Sequence, residues 1–246
     1  MKRISLLLAS ALCFAGLAAN AADSLTMSDF VYTNKLEVAG YTGSETLANF
    51  PVLVHISASL GDFQYSRMRS SKGGDLAFFA NCTNAQDAAL AKDGGAKGVY
   101  LRPELADELA RKGDAAQLKS LVDALKSTGL PTGVGAEDVE TVKFCATNGV
   151  VPAYWVLAFH SLDYPAATLK TRCNSIWCVD PKAAAAYMKT RPEPWVAIRC
   201  LAGGAIDPVK AYKFAKDNGA AAAAIDLLDY RIVETVNGIM KGGQKK

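Results

Sequence analysis

After Asp75 the chain alternates short apolar runs with amphipathic stretches, and this alternation constrains the fold more than any single motif. Strands are predicted at Leu76–Phe79, Gly98–Leu101, Thr132–Gly135, Tyr154–Phe159, Trp195–Cys200 and Ala222–Leu227. Helices separate them. Leu118, Leu121, Val122 and Leu125 recur at the spacing of one buried helix stripe. Gly129 then ends that helix, and Pro131 prevents its resumption. Asp207-Pro208 reads as an N-cap followed by proline at the first helical position, with Gly219 closing the same helix. Ile232, Val236, Ile239 and Met240 form the stripe of a last helix. Strands that alternate with helices give a parallel sheet with right-handed crossovers. Six such strands suit either an incomplete barrel or an open α/β sheet.

The residues before Asp75 have a different character. Phe30-Val31-Tyr32-Thr33 and Leu36-Glu37-Val38 favour strand through aromatic and β-branched side chains. Gly40-Tyr41-Thr42-Gly43 is a turn cluster. Phe50 to Ile56 is a second strand, with Pro51 near its start, where a missing donor is tolerated. Ser70 to Gly74 is a polar linker. Two or three strands cannot bury a core alone. The fold class expected is therefore α/β: an incomplete (β/α)-barrel-like parallel sheet preceded by a short partial antiparallel β-module. The expected divisions are 1–21, 22–75, 76–240 and a basic tail at 241–246.

Residues 1–21 have the pattern of an export signal. Met1-Lys2-Arg3 is basic, Ile4 to Leu17 is apolar, and Ala19-Asn20-Ala21 fits a cleavage site, so the mature chain is expected to begin at Ala22. The apolar run is short for a membrane span, which needs about 20 residues. The expectation is a secreted or periplasmic protein with no membrane partner after cleavage. Loss of Lys2 and Arg3 lowers the net charge of +3 by two. Only Lys241 to Lys246 then forms a basic cluster, which argues against nucleic acid as a partner. Five cysteines remain: Cys82, Cys145, Cys173, Cys178 and Cys200. The odd number leaves one thiol unpaired within the chain, or pairs it between chains. Cys173 and Cys178 are the best candidate disulfide pair. A structural role is favoured over zinc, because no histidine or second cysteine pair accompanies them. Cys145 and Cys200 fall on apolar faces and read as core residues.

Two resemblances sharpen this picture. Tyr41 to Leu47, Asn49 to Val54, Phe63-Gln64-Tyr65-Ser66 and Gly74 to Phe78 resemble, in order and spacing, the opening of a secreted β-module family of unknown function. That family is often linked to concanavalin-like lectin modules. The likeness covers about 50 residues and stops before the family's acidic turn and Trp-containing strand. Further on, Gly129 to Ala136, Tyr154-Trp155-Val156 with Phe159-His160, and Asn174 to Pro181 with Ile176-Trp177-Cys178 form one set of blocks. Pro194 to Ala197, Leu201 to Ile206 and Asp229 to Glu234 form another. Together they resemble the later strands of an uncharacterised aldolase-like (β/α)8-barrel family, over roughly 160 residues. The resemblance implies a lyase or isomerase ancestry acting on a small carbonyl compound.

The departures from that family bear on chemistry. Glu137 stands where the family tends to have histidine, Leu157-Ala158 where it tends to have Lys-Thr, and Arg199 where it tends to have lysine. A Schiff base needs a lysine amine able to lose its proton, and arginine keeps its charge. Lys143, Lys210, Lys213 and Lys216 fall on helices, and Lys170 in a loop is the one plausible substitute. Barrels place reacting groups at the C-terminal ends of their strands. That rule selects Arg102, Glu137, Asp138, His160, Asp163, Arg199 and Asp226. The expected catalytic set is His160, Glu137 and Arg199, with His160 as an acid or base near neutral pH. The alternative for His160 is a hydrogen-bonded strand-end residue. Glu137 and Asp138 could act as a carboxylate pair for acid/base work or hold magnesium, but they also open a helix, which is the favoured reading. Asp163, Gly203, Gly204 and Asp226 are the expected substrate contacts. Gly203-Gly204 precedes a helix N-terminus that could hold phosphate, although Asp207 competes there and a tight turn serves equally. No metal or cofactor is implied. The function expected is that of a weakly active or inactive aldolase-like barrel. The competing readings are a non-enzymatic surface or carbohydrate-binding protein acting through the β-module, and a fusion without selected function. A small-molecule or carbohydrate ligand is the partner expected, with association through open sheet edges.

Overall fold

The computed structural model describes residues 52–57, 79–93, 96, 98–165, 167 and 176–225. Seven strands and six α-helices lie within them. They run β1 (Val52–Ser57), β2 (Phe79–Cys82), α1 (Ala85–Asp93), β3 (Gly98–Leu101), α2 (Pro103–Lys112), α3 (Ala115–Lys126) and β4 (Thr132–Ala136). Then follow α4 (Val139–Thr147), β5 (Tyr154–Ala158), α5 (Pro181–Met188), β6 (Trp195–Ile198), α6 (Pro208–Asp217) and β7 (Ala222–Ile225). The expected strand residues Phe30–Thr33 and Leu36–Val38, the candidate disulfide partner Cys173 and the expected last helix lie outside the described residues.

All neighbouring strands pair in parallel, and β1 pairs with β7 as well as with β2, so the sheet closes. The α/β class and the barrel-like parallel sheet follow the sequence reading. Two parts of that reading are corrected. Val52–Ser57, expected in an antiparallel module, is a parallel barrel strand, with Leu53 opposite Ala224 and Ile56 opposite Ala80. With β1 in place the sheet is still one strand short of eight, but no edge is left open among the described residues. The reason is physical. A run of mostly apolar residues suits a strand of a parallel sheet, whereas an antiparallel strand with one solvated face alternates.

Side chains alternate between two cores. Phe79, Tyr100, Tyr154, Val156, Ala158, Val196, Ile198 and Ala222 fill the barrel interior. Trp155, Leu157, Phe159, Val99, Leu101 and Val134 face outward and pack under the helices, with Leu118, Val122 and Leu125 of α3 among them. So few short strands leave little room for aromatic rings, and glycine makes that room. A Cβ at Gly133 would lie 2.6 Å from the Tyr154 ring, and one at Gly98 would lie 2.7 Å from the Phe79 ring. The Tyr154 hydroxyl donates to the Val99 carbonyl at 2.8 Å, so its burial leaves no unpaired donor.

The helix starts follow the local signals. Asp114, Asp138, Asp180 and Asp207 each cap a helix by accepting a backbone N–H. Proline occupies the first turn of α2, α5 and α6. Among the described residues no helix is long and apolar enough to cross a membrane.

Candidate functional site

Arg102, Glu137, His160 and Arg199 each follow directly on a strand or one residue beyond it, at the C-terminal end of the barrel. Three of the four enter one network. β6 ends at Ile198 because Arg199 takes a left-handed backbone, with φ 57°. Its Nη2 lies 3.6 Å from Glu137 Oε1 and 3.7 Å from Glu104 Oε1. Arg102 Nε lies 3.6 Å from the other oxygen of Glu104. The Arg199 guanidinium also stands 5.2 Å from the centre of the Trp177 ring, within cation–π range. Trp177 in turn packs on the apolar interior of the barrel. The mouth thus holds two guanidiniums and two carboxylates in one network, with Arg199 set against an indole. Arg199 keeps about a third of its side chain exposed, while Glu137 is half as exposed at 17%.

Glu137 is placed from below. Its backbone N–H donates to Asp107 Oδ2 at 3.1 Å, and Asp107 is buried on α2. Asp138, next along, turns away to cap α4 by accepting from Glu140 N. The two acids therefore divide the roles that the sequence left open: Asp138 opens the helix, and Glu137 faces Arg199. A cavity of about 230 Å³ lies beside them, lined by Glu137, Asp138, Leu157, Trp177, Cys178 and Asp180, among others.

His160 is 1% exposed and enters a different set of bonds. Its Nε2 accepts from the backbone N–H of Trp177 and of Cys178, both at 3.0 Å. Two donors aimed at Nε2 require a lone pair there, so the proton sits on Nδ1, which donates to the Ser161 carbonyl at 2.8 Å. Burial lowers the pKa of the ring, with the Ser161 carbonyl opposing that shift. Both ring nitrogens are engaged by backbone. This matches the hydrogen-bonded strand-end alternative and leaves no lone pair for base catalysis in this arrangement.

The remaining expected contacts do not join the network. Asp163 is exposed. Gly203 and Gly204 lie in a tight turn with φ 68° and 91°, a region that favours glycine. The amides of Gly204, Ala205 and Ile206 bond back to Leu201 and Ala202 within that turn, and Asp207 caps α6, as the tight-turn alternative has it. Asp226 and Lys170 lie outside the described residues. Among the described residues no group of three His, Cys, Asp or Glu is placed to hold a metal ion.

Three participants escaped the sequence reading as site residues. Glu104 reads as an ordinary first-turn acid after Pro103, Asp107 sits on a helix face among alanine and leucine, and Trp177 stood out only as part of a resemblance. The strand-end rule could not find them, because they come from a helix or from a later loop. Fold and mouth together define a small parallel (β/α) barrel protein with an arginine-centred mouth. Neither protein-family models nor curated proteins match this chain.

Proposed function

We propose that this chain is a secreted barrel protein of aldolase-like descent, whose ancestral chemistry was lyase or isomerase chemistry on a small carbonyl compound, and that lysine-based catalysis is lost in it. One observation carries the reading. Where the resembled family tends to place lysine, Arg199 stands at the barrel mouth in a left-handed conformation, between Glu104 and Glu137 and over Trp177. Non-glycine residues held in that region cost about 1–3 kcal/mol and cluster at functional sites. A guanidinium cannot form a Schiff base, but its planar donors suit the oxygens of a carboxylate or an enolate. The mouth is therefore suited to hold a small oxygen-rich carbonyl compound, with Arg199 as its anchor and weak or no turnover. Carbohydrate binding through a separate β-module is less supported, since Val52–Ser57 belongs to the barrel sheet.

Borohydride trapping with a panel of small aldehydes and ketones, followed by peptide mass mapping, tests the reading. The expected outcome is no stoichiometric label on any lysine. Specific labelling of one lysine at low substrate concentration would overturn it. Export is tested separately: N-terminal sequencing of secreted material is expected to begin at Ala22, and a start at Met1 counts against it.

A further inference from the structure

We propose that His160 is a pH-responsive pin that holds Trp177 over the barrel mouth, and that protonation of its Nε2 releases the 176–178 segment and uncovers the mouth. The inference does not depend on which ligand the mouth takes. It rests on three contacts. The imidazole is the shared acceptor for two successive backbone amides, Trp177 and Cys178, that lie 17 and 18 residues further along the chain. Ile176, just before them, is fully buried. The Trp177 ring packs against the interior cluster and lies 5.2 Å from the Arg199 guanidinium. One side chain therefore fixes the backbone of the residue on which the mouth is built.

A proton on Nε2 would turn that acceptor into a donor facing two donors. The surroundings offer a charged ring little compensation. From its own loop, the Tyr164 ring lies 6.0 Å away, and Asp163 is exposed with no bond to the imidazole. From the facing segment come the Trp177 ring at 6.3 Å and Cys178. From β6, Arg199 sits against Trp177 and adds a positive charge, while Glu137 is engaged by that arginine. No carboxylate pairs with the ring among the described residues. The sign follows. Burial lowers the folded-state pKa below the ordinary 6.5, so the pinned form holds in full above that pH and weakens as pH falls below it.

Hydrogen exchange on the full chain, corrected for the intrinsic pH dependence of exchange, reads the pin at the amides of Trp177 and Cys178. Amides of β5 serve as the reference for the fold. The expected result is a loss of protection at the two amides, by about tenfold per pH unit between pH 6.5 and the lower pH at which the pinned ring protonates, with β5 unchanged. In His160→Gln, whose side-chain oxygen accepts but does not titrate, the pH dependence should disappear. Constant protection in the wild type, loss shared equally with β5, or a pH dependence that persists in His160→Gln would each overturn the proposal. The histidine ring spectrum of the wild type gives a test that needs no variant. It should show the Nδ1–H tautomer for His160 at pH 8 and protonation at a pH below that at which protection begins to fall. An Nε2–H tautomer, or a ring that protonates before protection begins to fall, would overturn it.

Discussion

Arg199 and His160 are one strand apart, and they show how little residue type alone decides. Arginine, read from sequence as the loss of a lysine and as one of the catalytic set, is the centre of the mouth, whereas histidine, read as catalytic with a hydrogen-bonded strand-end role as its alternative, holds backbone. The interior sets equally sharp limits on single residues. Gly133→Ala would push a methyl into the Tyr154 ring, and overpacking of this kind costs about 1–3 kcal/mol. A lower urea midpoint at unchanged slope is expected. The buried thiols give a pH prediction. Burial, helped by the charge of Asp87, pushes Cys82 up from 9.0 to about 12. Burial, helped by Asp107, does the same for Cys145. Above pH 9 the unfolded chain therefore loses these protons before the folded one does, and their contribution to stability declines as pH rises toward 12. The urea midpoint should be lower at pH 10 than at pH 8. In the native protein at pH 8, iodoacetamide should leave both thiols unmodified, because the thiolate is the reactive form.

At the level of elements, the helices were the most legible part. The Leu118, Val122 and Leu125 stripe is buried in α3, Gly129 stands at φ 77°, and Asp207-Pro208 opens α6 as its cap and first turn. These signals are local, so the sequence contains all of the cause. Asp207→Ala, which removes a cap to Lys210 N, should cost about 1 kcal/mol, measurable as a lower urea midpoint. Strand ends were less legible. β6 stops two residues before the expected Cys200 because Arg199 turns left-handed, a choice made by its partners in the mouth rather than by propensity. β2 runs through Asn81, a buried polar residue that interrupts the apolar pattern. The mouth was legible only where it follows strand ends. Glu104, Asp107 and Trp177 reach it from α2 and from the segment before α5, and no local pattern announces that.

For the molecule as a whole, the decisive contact is non-local. Phe50 to Ile56 was legible as a strand, but its partners, β2 and β7, lie at opposite ends of the rest of the sheet. Pairing choice of that kind is settled by closure and not by composition. A chain beginning at Asp75 lacks β1 and exposes the edges of β2 and β7, and unpaired parallel edges invite association. Sedimentation of that chain should show oligomers or aggregate where a chain that keeps β1 does not, and equal monomeric solubility would count against closure by β1. The most direct measurement is hydrogen exchange at the amides of Val52–Ser57 in the intact chain. If β1 closes the barrel, these amides are protected to the same degree as those of β5, because both strands are flanked on two sides. Exchange at the rate of an unstructured peptide, with β5 still protected, would contradict a closed barrel and the mouth built upon it.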